Sequence, residues 1–422
     1  MGEEHTVGHI GENSKVQVRR SKENFIVKID DLIVLFTLGL AILVGLALNH
    51  GDSTLTNGTI RWIIALIADA CLALLGLLIF FFKRQCAPLL IVPIIYWLFI
   101  NLDTYSKATW SVVLLFELTL FCCLSKELQE RVYSAYRKYI VVMAAVGVVC
   151  YLAFVLGVPL PHKTVAYYSQ WQPDASYVTY GVSYLYSTSA GILRLCGLFN
   201  EPGYFGTIIA LILCADRFAI KRKGNIILLI AGTLTFSAAF FAIVFVYLML
   251  VAYKRPKIMA AMIALGIFYL FILPNITIHN TEIAYLISRF TFSDGKFLGD
   301  NRSKAALEVA FSEVLSGPEI LFGHGGGYVS SLDIAGGVSS YKTYIVDYGV
   351  MGFIIIYLPL LWSAIKRAKE NLYAVFFLVC FVLSIYQRPN IFTLPYLVVL
   401  FGGIEHGKLL DREAQLEGNG TK

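Results

Sequence analysis

Long apolar runs separated by short polar punctuation decide which solvent this chain can fold in. Runs near the ~20 residues that a spanning helix needs recur from end to end, at roughly 30–49, 60–82, 88–101, 109–124, 139–158, 203–216, 225–236, 237–253, 258–274, 343–365, 372–386 and 391–405. So many apolar stretches cannot all be hidden inside one water-soluble core. Charge points the same way. Only 15% of the 422 residues are charged, against the ~25% of a soluble domain, too few to cover a water-facing surface. The expected fold class is an all-α polytopic membrane protein with about twelve transmembrane helices. Several runs are short, which predicts tilted, broken or re-entrant pieces. The stretch "NIILLIAGTLTFSAAFFAIVFVYLML" is too long for one ordinary span, and Thr233, Thr235 and Ser237 near its middle predict a split at Ser237.

Basic residues then set the orientation. Most of the 34 Lys and Arg fall in "KVQVRRSK", "KRQ", "KELQERVYSAYRK", "DRFAIKRK", "YKRPK", "IKRAKE" and the C-terminal tail. The opposite side carries Arg61, Lys107, Lys163, Arg194, Arg289, Lys296, Arg302, Lys304, Lys342 and Arg388. This alternation follows the positive-inside rule and puts both termini in the cytoplasm. The polar N-terminal stretch lacks the apolar core of a cleaved signal peptide, so the first span would act as an uncleaved anchor. The domain reading is a cytoplasmic tail over 1–29, a transmembrane domain over 30–405 and a cytoplasmic tail over 406–422. Two segments on the outer side, 159–202 and 275–342, are much longer than the other loops, and long structured connections are usually functional. The basic balance orients the chain and is no sign of nucleic-acid binding. The eight cysteines form no CxxC pair.

At the end of the first long segment stands "RLCGLFNEPGYFG", residues 194–206. Arg194 and Glu201 read either as snorkelling anchors or as functional groups, because ionisable residues at membrane depth are expensive. Pro202 suits the first turn of a helix, which places Glu201 at or just before its N-cap, near the positive end of the dipole. Gly197, Gly203 and Gly206 let a backbone or a ligand come close. The second segment holds an amphipathic helix over 303–315, with Ala306, Leu307, Val309, Ala310 and Val314 as its apolar stripe and Asn301 as its N-cap. "SGPE" stops it, and "GHGGGY" follows. Glycines on both sides leave the His324 imidazole open to a large ligand. The aromatic loop "VAYYSQWQPDASYVTYGVSYLYS" reads equally as a sugar-stacking surface and as an interfacial belt.

The pattern "RLCGLFNEPG", followed about 120 residues later by "ILFGHGGGYVSS", resembles the O-antigen polymerase and O-antigen ligase superfamily. "SYKTYIVDYGVMGFIIIYLPLL" resembles that family's return into the membrane. The resemblance covers residues 190–365 and the span count. It implies a GT-C-like, inverting glycosyltransferase at the periplasmic face of the bacterial inner membrane. Donor and acceptor would be undecaprenyl-pyrophosphate-linked oligosaccharides, and a flippase and a chain-length regulator of the same pathway would be partners. Arg194 matches the family's first arginine. Arg302, or else Arg289, matches the second. His324 matches the Gly-rich turn, and Glu201 an acid found in many polymerases. The implied pyrophosphate-binding residues are therefore Arg194, Arg302 and Arg289. The implied catalytic residues are His324, Glu201 and Arg194, and Asn200, Gly323, Gly325 and Tyr344 would contact substrate. "YVSS" and "SYKTY" stand where relatives often have an Asn-rich or His-Asn stretch.

The chemistry suits those residue types. Breaking a sugar–phosphate bond leaves an anionic pyrophosphate, which a planar guanidinium holds bidentately. The acceptor hydroxyl needs a base, either His324 or Glu201. No metal or other cofactor is expected. The early outer loops hold one acid each, Asp52 and Asp103, and the long segments hold no D-x-D pair, whereas hard cations need several oxygen ligands. A ligase acting on lipid A–core would share fold and arginines. A flippase would show repeated halves, and none is visible. The "NEPGY" form of the first motif favours the polymerase.

Overall fold

The computed structural model describes residues 28–46, 58–82, 90–101, 108–166, 176–188, 191–199, 201–272, 275–276, 284, 287, 292–293, 296–297, 305–332 and 340–420. The protein is mostly helical, and the helices fall on the apolar runs. They are α1 (Lys28–Leu46), α2 (Gly58–Phe82), α3 (Ile91–Asn101), α4 (Ala108–Cys122), α5 (Lys126–Val155), α6 (Pro202–Ala215), α7 (Asn225–Leu234), α8 (Ala238–Val251) and α9 (Pro256–Ile267). After the second long segment come α10 (Ala305–Ser316), α11 (Tyr341–Ala368), α12 (Leu372–Gln387) and α13 (Gly403–Gly420). A turn at Leu394–Leu397 and a π-helical stretch at Val398–Gly402 lead into α13.

By length and composition α1, the Ile63–Phe82 part of α2, α5 and α11 are long and apolar enough to cross a bilayer. Such helices mark a membrane protein. The split at Ser237 is present, with the Ser237 hydroxyl accepting the N–H of Phe240 and starting α8. α5 begins well before its apolar run, because "KELQERVYSAYRK" is a helical extension of it, capped where Ser125 accepts from Leu128.

Within this mostly helical chain, the first long segment adds an element the all-α reading does not include, a four-stranded antiparallel meander. Its strands are β1 (Lys163–Ala166), β2 (Ser176–Thr179), β3 (Tyr184–Ser187) and β4 (Leu193–Gly197). The reason is period-two patterning. Val178, Leu185 and Leu195 face the main core, while Tyr177, Tyr184, Tyr186 and Cys196 pack on one another on the other face. These tyrosines are buried in the sheet, which removes them from any sugar-stacking surface. Leu195 lies over Gly147 of α5, where an added Cβ would come within 2.9 Å of it.

The stripe of α10 is narrower than expected. Leu307, Ala310 and Val314 are buried against α11, whereas Ala306 and Val309 are exposed. Positions i, i+3 and i+7 are the ones that stay on one face.

α6 is the axis of the fold. All its residues but Gly203 are buried, and it packs against α7, α8 and α12. Fourteen residues span only ~21 Å, less than the ~30 Å of a hydrocarbon core. The charged groups at its two ends are therefore closer together than a bilayer is thick. At one end Asp216 is fully buried. It accepts from Arg137 Nε at 2.5 Å, with Arg222 at 3.2 Å and His406 Nε2 at 3.4 Å. Arg137 also donates to Asn225 Oδ1 at 2.7 Å, and His406 Nδ1 meets Glu130 Oε1 at 2.9 Å. The other end bears Glu201.

Candidate functional site

At the Glu201 end, three segments distant in sequence meet. The first is the turn from β4 into α6. Gly197 has φ +61°, a left-handed backbone that glycine accepts most readily. Glu201 is the N-cap residue of α6 and Pro202 follows at its first position. The Glu201 carboxylate makes no capping bond to its own helix.

It reaches instead to the second segment, at the end of α12. Arg388 Nη2 donates to Glu201 Oε2 at 2.5 Å. The Arg388 guanidinium also lies over the Tyr204 ring, 5.4 Å from its centroid. Its side chain is 12% exposed, against 39% for Glu201. Burial lowers the Arg388 pKa, but the Glu201 carboxylate outweighs it and the net shift is upward. Two residues on, Asn390 Oδ1 accepts from Tyr344 Oη at 2.7 Å, and the Pro389 carbonyl accepts from Tyr357 Oη at 2.7 Å.

Tyr344 belongs to the third segment, the first part of α11 with the loop that clasps it. α11 is broken at Gly349, which has φ +68° and ψ −178°. A break orphans the carbonyls before it, and the Gly-rich loop satisfies them. His324 N–H donates to the Val346 carbonyl at 2.9 Å and Gly325 N–H to the Asp347 carbonyl at 2.8 Å. The Met351 N–H donates to Leu321 O at 3.1 Å, and Val329 N–H to Asp347 Oδ1 at 2.9 Å. Glycine is needed on both sides of this clasp. A Cβ on Gly323 would lie 2.6 Å from the Asp347 carbonyl, and one on Gly349 would lie 2.2 Å from Leu321 O. The His324 ring stays exposed and stacks on Tyr328, with centroids 4.2 Å apart.

Arg194 is buried on β4, the strand that leads into the turn before α6. Its Nε donates to the Thr235 carbonyl at 2.9 Å and its Nη2 to the Phe236 carbonyl at 3.2 Å. These carbonyls form the break between α7 and α8, where Phe236 takes φ +45°, a strained value for a bulky residue. Gly206 lets α6 approach the same break, since a Cβ there would be 2.7 Å from Thr235 Oγ1. Arg194 thus has a fastening role that its motif did not announce. Any phosphate contact must come from the other N–H donors of its fork.

The structure therefore brings Glu201 to Arg388, joins Asn390 to Tyr344, and seats His324, Gly323 and Gly325 against the residues just beyond Tyr344. Arg289, Arg302 and Asn200 lie outside the described residues, as does the Asn301 cap. Among the described residues no group of three or more His, Cys, Asp or Glu side chains is placed to hold a metal ion. Sequence reasoning missed Arg388 and Asn390. The signal was "YQRPN", a cation wedged between two apolar runs at membrane depth, where ionisable residues are rare. An arginine fork, a half-exposed carboxylate and aromatic rings together suit a ligand that carries both phosphate and sugar. Comparison of the chain with protein-family models, with curated proteins and with solved structures finds no match.

Proposed function

We propose that this protein is a membrane-embedded, inverting, metal-independent glycosyltransferase. It would join undecaprenyl-pyrophosphate-linked repeat units into O-antigen or a related surface polysaccharide at the periplasmic face of the bacterial inner membrane. The observation that supports this most is the linkage of three segments at one end of α6: Glu201 with Arg388, Asn390 with Tyr344, and Val346 with His324. The first and third of these segments carry the motif residues that resemble the O-antigen polymerase superfamily; the second, with Arg388 and Asn390, lies outside the resemblance. In this reading the arginines hold the pyrophosphate of the donor lipid. An acceptor hydroxyl attacks the sugar carbon, the sugar–phosphate bond breaks, and its electron pair leaves with the pyrophosphate. Positive charge placed beforehand stabilises that leaving group in a partly dry site. Glu201 and His324 are the groups available to take the hydroxyl proton.

The test is chain extension by purified protein in proteoliposomes supplied with lipid-linked repeat units and excess EDTA. A ladder of products is expected. Extension that stops in EDTA and returns with magnesium removes the metal-free mechanism. Transfer only to lipid A–core makes the protein a ligase.

A further inference from the structure

We propose that Arg388 is a pyrophosphate-binding residue held in reserve by Glu201, and that the pair is a latch released by the donor lipid. The inference rests on the glycosyltransferase reading and adds to it a residue and an order of events. As the structure stands, each partner occupies the other. A carboxylate beside a guanidinium is a poor base, because the cation stabilises its charged form. The guanidinium is equally engaged, through Nη2 and Oε2 at 2.5 Å.

The arrangement is suited to exchange. Glu201 makes no bond to the N–H groups of its own helix, so its position at the N-cap does not tie the carboxylate there. Its side chain is 39% exposed, against 12% for Arg388, so water can solvate the carboxylate when the guanidinium turns away, which keeps the cost of separation modest. A pyrophosphate offers more charge than one carboxylate and matches the bidentate geometry of the fork. The Tyr204 ring, 5.4 Å from the Arg388 guanidinium, gives the cation a fixed seat from which to turn toward it. Arrival of the donor pyrophosphate draws Arg388 away from Glu201. The released carboxylate then takes the acceptor hydroxyl's proton as the new C–O bond forms and the sugar–phosphate bond breaks. Without donor, the base stays masked.

The test is binding of undecaprenyl pyrophosphate, with undecaprenyl monophosphate in parallel, to purified protein in lipid nanodiscs. Glu201→Gln is expected to bind the pyrophosphate roughly fivefold tighter, the factor that a partly exposed ion pair is worth. Arg388→Gln is expected to bind it at least fivefold more weakly by the same scale, and the double variant to match Arg388→Gln. Arg388→Lys keeps the charge and the pairing with Glu201, which guards against misfolding, and should still lose the preference for pyrophosphate over monophosphate. The latch is overturned if Glu201→Gln binds no tighter than the unaltered protein, or if it tightens binding equally when Arg388 is absent. The assay needs no acceptor and no turnover. Tighter binding by Glu201→Gln in a protein that extends no chains would keep the latch and remove the polymerase reading.

Discussion

The two ends of α6 carry the same chemistry in opposite settings. At one end Asp216 is fully buried and is held by Arg137, Arg222 and His406. At the other, Glu201 is 39% exposed and pairs with Arg388. A buried carboxylate with three cationic neighbours has nowhere to go, because removing any partner leaves charge in a medium that does not solvate it. An exposed one can trade its partner for a ligand. On the proposed reading, the difference separates charge that fixes the fold from charge that would handle substrate, within ~21 Å of helix.

The comparison breaks most readily on stability. Asp216→Asn leaves Arg137 without its carboxylate in a buried site and should cost about 3–5 kcal/mol, read as a shift of the denaturation midpoint in detergent. Glu201→Gln should cost less, about 1–2 kcal/mol, in the same measurement, because the glutamine oxygen can still accept from the largely buried Arg388 and its own side chain reaches water. Equal costs would mean that both ends are structural.

The outer end has a fixed part of its own, the clasp around Gly349. Gly349→Ala places a Cβ 2.2 Å from Leu321 O at φ +68°. Strain and clash together should cost at least about 2 kcal/mol, and the His324 loop should lose protection from hydrogen exchange before α6 does. A uniform loss of protection would show that loop and bundle are one unit.

Arg194→Lys sharpens the boundary between the two kinds of charge. Lysine cannot replace both the Thr235 and Phe236 bonds, so a loss of about 1–3 kcal/mol is expected along with polymer ladders. Loss of ladders with unchanged stability would make Arg194 a substrate residue alone.

The smallest effect is on pH. Burial lowers the His406 pKa, but hydrogen bonds from its ring to the Asp216 and Glu130 carboxylates outweigh it and, against the opposing charge of Arg222, the net shift is upward. A group raised on folding stabilises fully below its unfolded pKa, near 6.5, and loses that contribution as pH rises through the higher folded value. Stability should therefore fall as pH rises from about 6.5, and His406→Gln should flatten that slope. A slope of opposite sign would mean that His406 is neutral in the fold.

Much of the bundle is legible in the sequence because bilayer burial writes itself as apolar runs. The break at Ser237 and the N-cap position of Glu201 follow from local residue types. The sheet is not legible there, because its alternating tyrosines and aliphatics also suit an aromatic belt. Arg388 reads only as an outer cation, since nothing local ties it to a glutamate 187 positions away. Such pairs are set by how helix ends meet, and spacing along one chain does not record that. Likewise the glycines around His324 looked like room for a ligand. Gly323 in fact answers to the backbone of Asp347.

The most direct test of the account measures polymer made per folded molecule for Glu201→Gln and Asp216→Asn, side by side in a strain lacking the native protein. The account predicts that Glu201→Gln accumulates normally and makes almost no polymer. It predicts that Asp216→Asn accumulates poorly while each folded molecule still extends chains at a near-normal rate. The reverse pattern, with a working Glu201→Gln and a well-folded but inactive Asp216→Asn, would place the chemistry at the other end of α6 and contradict it.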